Sequence, residues 1–113
     1  MKTNPTLKNL IENIKEVAHK ENSDFWKRIA KELEKPTRRQ REVNVSRINK
    51  HTKDKETIIV PGKVLGDGEI DHEATVAALT FTQSAKDKLN TITIKELLKK
   101  EPKGKNIRII GWL

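Results

Sequence analysis

Asp67, Glu69, Asp71, His72 and Glu73 crowd into residues 67–73, "DGEIDHE", and carboxylates at that density beside an imidazole invite a metal ion. A calcium loop also needs a glycine at its central turn and a distal bidentate glutamate, and neither stands at the required position. Zinc would want further His or Cys partners, but the chain has no cysteine and His19 and His51 lie far off in sequence. The run reads instead as an acidic turn facing water or an arginine. "PGKVLG", residues 61–66, offers Gly62 and Lys63 to a phosphate loop, yet lacks the upstream glycine and the Ser or Thr after the lysine. Pro61 and Gly62 suit the central positions of a type II turn, and "GDG" at 66–68 suits another. No glycine–serine elbow or Ser/His/Asp constellation stands out. These residues predict no metal, no cofactor and no enzyme.

The remaining chemistry is charge. The 113-residue chain carries a formal net charge of +8, unevenly spread. Residues 35–55 hold Lys35, Arg38, Arg39, Arg41, Arg47, Lys50, Lys53 and Lys55 against only Glu42 and Asp54, whereas the flanking stretches are nearly balanced. Lysines scattered over a surface signify solubility. Concentration in one segment, with arginine dominating its centre, points to a polyanion, because the guanidinium fork matches phosphate oxygens. Ser46 is a candidate cap for a short helix, "RINKHT", whose amide end and flanking bases would suit phosphates. The candidate binding residues are therefore Lys35, Arg38, Arg39, Arg41, Ser46, Arg47, Lys50, His51, Lys53 and Lys55. Gly62 and Lys63 join them, with Gly62 and Gly66 as places for close backbone approach. The four aromatics, Phe25, Trp26, Phe81 and Trp112, are assigned to the core, which leaves no stacking platform for bases. Recognition would then be of phosphate and shape.

The rest of the chain must hold that segment in place. Asn4 and Pro5 fit a helix start, and Leu7, Leu10, Ile11, Ile14, Val17 and Ala18 recur at helical spacing. Ser23 fits the cap of a second helix with Phe25, Trp26, Ile29, Ala30 and Leu33 inward, ended by Pro36. "TIIVP" is β-branched and short. "TVAALTFT", 75–82, reads as an interior strand with Ala77, Leu79 and Phe81 on one face and Val76 and Ala78 on the other. "SAKDKLN" predicts a short helix capped by Ser84, and "TIKELLKKE" another capped by Thr93. "NIRIIGWL" closes as a strand with Trp112 covering an edge. Helices first, then β with short helices inserted, make the fold class α+β. The simplest organisation is one domain over 1–113, with a helical part (1–34), a basic segment (35–55) and a mixed β/α part (56–113). No apolar run is long enough to span a membrane, and the charged start does not resemble a signal peptide. Zero cysteines suit the cytosol.

"EVNVSRINKHTK" followed by "IIVPGKVLGDGEIDHEATVAALTFTQSAKDKL" closely resembles the archaeal and eukaryotic large-subunit ribosomal protein family L-eighteen-e, a relative of bacterial ribosomal protein L-fifteen. "NPTLKNLIENIKE" and "FWKRIAKELEKPTRR" resemble it too, so the likeness covers nearly the whole chain. It implies a structural constituent of the large ribosomal subunit in the cytoplasm, bound to large-subunit ribosomal RNA among neighbouring ribosomal proteins, monomeric and without enzymatic activity. It also implies an irregular β-β-α superhelical, L-fifteen-like fold with N-terminal helices and a basic extension reaching into RNA. The chain departs from the family in joining its last two helices by "NTIT" alone, which leaves the geometry of residues 90–93 open.

Val43, Val45 and Ile48 then explain why the basic segment contains apolar residues. They anchor it, so that its bases meet RNA at fixed positions without an ordering cost at each contact. Residues 35–42, without apolar side chains beyond Pro36, are expected to be mobile in the free protein. Two rival readings make different demands. A DNA-binding regulator would use "SRINKHT" as a recognition helix, and an enzyme would take a phosphorylated substrate at "PGKVLGDG".

Overall fold

The computed structural model describes residues 5–34 and 41–110. Two helices lead, α1 (Pro5–Lys20) and α2 (Asp24–Leu33). The link between them is short because Asn22 takes a left-handed φ of 51°, and Ser23 N–H returns to the Ala18 carbonyl at 2.9 Å. Asparagine tolerates that conformation at a helix end. Ser23 then caps α2, its hydroxyl accepting from Trp26 N–H at 3.3 Å. Ile14 and Ala18 of α1 and Trp26, Ile29, Ala30 and Leu33 of α2 are buried together, as their spacing predicts.

β1 (Arg41–Asn44), α3 (Val45–His51), β2 (Glu56–Leu65) and β3 (Ala74–Phe81) follow. After them come α4 (Gln83–Lys88), β4 (Asn90–Thr93), α5 (Ile94–Lys100) and β5 (Ile107–Ile109). The strands make one five-stranded sheet in the order β1-β2-β3-β4, with β5 also on β2, and every pairing is parallel. A parallel sheet is covered on both faces, which is why β3 reads "ATVAALTF" with almost no alternation. One face packs Ile59, Ala77 and Ile107 under α1, α2 and α5; the other packs Ile58, Val60, Val64 and Val76 under α3 and α4. The α+β class with leading helices is what the chain adopts.

β2 solves an edge problem. β3 lies along one side of it, and β5 and β1 share the other end to end: Thr57–Ile59 pair with Ile107–Ile109, and Gly62–Leu65 pair with Arg41–Asn44. Pro61, which has no N–H to give, falls at the junction of those two partners. The β2–β3 register shifts there too, between Val60 and Lys63, so β2 carries an extra residue. Pro61 and Gly62 are thus strand residues, not the turn their types suggest. The same bulge corrects the facing of Phe81. Phe81 pairs with Val64 beyond the shift and joins the cluster of Val76 and Ala78, while Ala77 and Leu79 pack on the opposite side.

Other expectations change for local reasons. Thr82, not Ser84, caps α4, its hydroxyl accepting from Ala85 N–H at 3.3 Å. The exposed Ser84 instead lies over the buried Gly66, where a Cβ would stand 1.8 Å from its Oγ. Residues 90–93 are strand β4, and Thr93 begins α5 through a reciprocal capping box with Glu96. Arg41 and Glu42, the end of the stretch expected to be mobile, lie in strand β1, their backbones paired in the ladder to Gly62 and Lys63. The expected Asn4 cap, the Pro36 stop, the mobility of residues 35–40 and the edge role of Trp112 lie outside the described residues.

Candidate nucleic-acid interface

α3 is the piece of basic segment that the fold grips. At about 100° per residue, Val45 and Ile48 share one side of the helix and Ser46, Arg47, Lys50 and His51 fall on the other. Val45 and Ile48 are fully buried with Val43 among Ile58, Val60 and Val64 of the sheet. Each such side chain contributes on the order of 1.5–3 kcal/mol. Ser46, Lys50 and His51 are exposed, and Arg47 is half-buried with an intramolecular contact of its own. Lys53 and Lys55, also exposed, continue the surface through the turn into β2.

Ser46 is not the cap of this helix. Asn44 holds the cap position without a side-chain bond, and its buried Oδ1 has no partner. One amide of the first turn is bonded from outside: Ser46 N–H donates to the Asp67 carbonyl at 3.0 Å. Gly68, at φ 99°, permits that contact, since a Cβ there would sit 2.4 Å from Ser46 Cβ. Lys88 pins the same loop by donating to the Gly66 and Gly68 carbonyls at 2.8 and 2.6 Å. The amide end of α3 is therefore occupied by the protein itself.

The acidic run holds the helix at its other end. Asp71 N–H donates to Asn49 Oδ1 at 3.1 Å, and His72 Nε2 lies 2.7 Å from the Thr52 hydroxyl, which bonds the Ile48 carbonyl at 2.7 Å. Asp71 Oδ1 faces His72 Nδ1 at 2.9 Å, so the imidazole is oriented from both sides. Glu73 N–H reaches Asp54 Oδ1 at 3.0 Å, and Lys55 N–H the Glu73 carbonyl at 2.7 Å. "DGEIDHE" is a brace for α3. Among the described residues no three His, Asp or Glu side chains converge as a metal ion would need.

Arg108, which no local pattern flags, completes the grip. Its guanidinium donates to the His51 carbonyl and pairs through Nε with Glu56 at 3.1 Å. Its target lies 57 positions away in sequence, so only the β2–β5 pairing brings it there. Lys63 is separated from the α3 group. It is exposed opposite Glu42 in the ladder, and strand alternation puts it on the reverse face from Val43 and Val64. Gly62 is buried in β2. Lys35, Arg38 and Arg39, and the side chain of Arg41, lie outside the described residues.

The fold and site together define a small α+β scaffold that fastens a short basic helix at both ends and along its apolar side. The chain belongs to a family of large-subunit ribosomal proteins: residues 1–111 match the family described as Ribosomal protein 60S L18 and 50S L18e. It is 44% identical to the large ribosomal subunit protein eL18 of Methanothermobacter thermautotrophicus, over 96% of this chain and 94% of that one. The eL18 protein of Methanoregula boonei is 46% identical over the same shares, and that of Archaeoglobus fulgidus 43% over 96% and 97%.

Proposed function

We propose that the chain is a structural, non-enzymatic constituent of the large ribosomal subunit in the cytoplasm, one copy per subunit. It binds large-subunit ribosomal RNA through phosphate contacts from the outer face of α3 and the turn after it. Arg47, Lys50, His51, Lys53 and Lys55 supply the described part of that surface, Ser46 adds a hydroxyl, and Lys63 contacts RNA from the reverse face. Lys35, Arg38, Arg39 and Arg41 add further RNA contacts, and neighbouring ribosomal proteins border the chain. Gly62 drops out, because it is buried and its backbone is committed to β1.

The observation that carries this reading is the fastening of α3. A helix needed only for folding would not require bonds from Asp67, Asp71, His72 and Arg108 while leaving Lys50, Lys53 and Lys55 in water. A DNA recognition helix is disfavoured by the same geometry. Such a helix enters the major groove by its N-terminal residues, and the loop at Gly68 covers that end of α3.

Co-sedimentation of the native protein with large subunits tests the assignment. Affinity of the purified chain for large-subunit ribosomal RNA tests the mode. With five to eight phosphates neutralised, log affinity should fall against log salt with a slope of about −4 to −7. A slope near zero removes α3 and its turn from the interface.

A further inference from the structure

The turn after α5 is held as firmly as α3, and its side chains have no evident structural task. Trp26 Nε1 donates to the Glu101 carbonyl at 2.8 Å and the Ser23 hydroxyl to the Lys103 carbonyl at 3.0 Å. Gly104, at φ 69°, lies so close to Phe25 that a Cβ would come within 2.6 Å of the ring. What this clamp presents is Lys100, Lys103 and Lys105, all exposed, and among the described residues none is paired with a carboxylate.

Two further features give the turn a direction. Lys100 and Lys105 line a cleft of about 140 Å³ between α5 and the sheet, together with Thr57, Thr75, Asn106 and a single carboxylate, Glu101. Two lysines against one glutamate leave that lining net positive, with two threonines on its wall. The cleft also adjoins the first surface. Thr57 and Ile107 are partners in the β2–β5 ladder, so Lys55 and Lys105 each stand two residues before a paired position on adjacent strands. Of the acids along that seam, Glu56 pairs with Arg108 and accepts from Lys53 N–H, and Asp54 accepts from Glu73 N–H.

We infer that the 101–106 turn is a second RNA-backbone contact, continuous with the α3 surface around the N-terminal edge of the sheet. Lys100 and Lys105 hold a phosphate at the mouth of the cleft, and Lys103 lies beside them on the same turn. A polyanion that follows this edge meets Lys50, Lys53, Lys55, Lys105 and Lys100 as one track, held by a rigid scaffold that lowers the ordering cost of binding. The inference rests on the RNA-binding reading above and names a partner surface which that reading does not contain.

The test compares the full-length chain with two variants, K100Q/K105Q and K50Q/K53Q, for binding to the large-subunit ribosomal RNA of Methanothermobacter thermautotrophicus across a salt series. Thermal midpoints establish that both variants fold. Losing two contacts should make the K100Q/K105Q slope shallower by about 1.4–1.8, with affinity down roughly tenfold near physiological salt. Lysine acetylation gives a second readout: Lys100 and Lys105 should react in the free protein and be protected by naked RNA. If only K50Q/K53Q weakens binding, this inference is overturned and the first reading stands. If neither variant differs from the parent, both readings fall. Protection that appears in assembled subunits but not on naked RNA assigns the turn to a protein neighbour and also overturns it.

Discussion

Ile48→Ala separates charge from presentation, because it removes no cation and touches no exposed atom. Ile48 is fully buried against residues of β1, β2 and α3 itself. Truncation leaves a cavity whose walls belong to three elements that cannot collapse together, so the cost should fall in the range of about 2–5 kcal/mol for such a change. Against a total stability of about 5–15 kcal/mol, that is a large share. At this chain length it should lower the thermal midpoint on the order of 10 °C. Below that midpoint the chain still folds, but α3 is held only by Val45 and by its end contacts. Each residue of α3 that must then be re-ordered on RNA costs about 1–2 kcal/mol, so even one or two give a tenfold or greater loss of affinity. Calorimetry measures the first effect, and filter binding to large-subunit ribosomal RNA at 25 °C and fixed salt measures the second. A variant destabilised by the expected amount that binds RNA with unchanged affinity would refute the argument that anchoring matters to binding. A loss below about 1 kcal/mol would refute the packing argument itself.

Capping supplies a paired prediction. Thr93→Ala removes a two-way capping box and should cost about 1 kcal/mol, whereas Asn44→Ala, at a cap without a side-chain bond, should cost clearly less; equal losses in urea titrations contradict this. Gly68→Ala should destabilise more than either and raise hydrogen exchange at Ser46 N–H, because the new Cβ meets Ser46 and φ is 99°; an unchanged exchange rate argues against the loop as the lid of α3. Trp26→Phe removes the indole donor from the Glu101 carbonyl, which keeps Gly104 N–H at 3.0 Å, and should cost about 0.5–1.5 kcal/mol. Near-neutral stability in that variant would mean that the indole bond is not needed to clamp the 101–106 turn.

What was legible in the sequence has a common physical cause: it is local. Apolar spacing along α1 and α2, the Ser23 and Thr93 caps, and the apolar character of β3 each depend on residues within a turn or a strand of one another. Val43, Val45 and Ile48 were legible as an anchor because burial follows from residue type. The uneven charge was legible because charge needs no fold to be counted.

The tertiary structure alone decided matters that depend on partners far along the chain. Pro61 and Gly62 have turn chemistry, yet two short strands meeting on one edge of β2 make that point the place where a missing N–H and a bulge are tolerated. Phe81 changed sides because alternation along β3 breaks after Leu79, where the register against β2 shifts. Ser46 is not a cap because α3 already begins at Val45, docked on the sheet, which puts Asn44 at the cap position; the Ser46 amide donates to a carbonyl 21 positions onward, that of Asp67. "DGEIDHE" had the composition of a ligand cluster, but hydrogen bonds from Asp71 and His72 to Asn49 and Thr52 turned it into a brace. Arg108, Lys100 and Lys105 carry no local signature of a site. Sequence by itself determined that this chain has a basic segment fastened to a core. Where the cations stand relative to one another was set by strand pairing, because only the ladder of β5 on β2 places the turns before Thr57 and Ile107 at the same edge of the sheet.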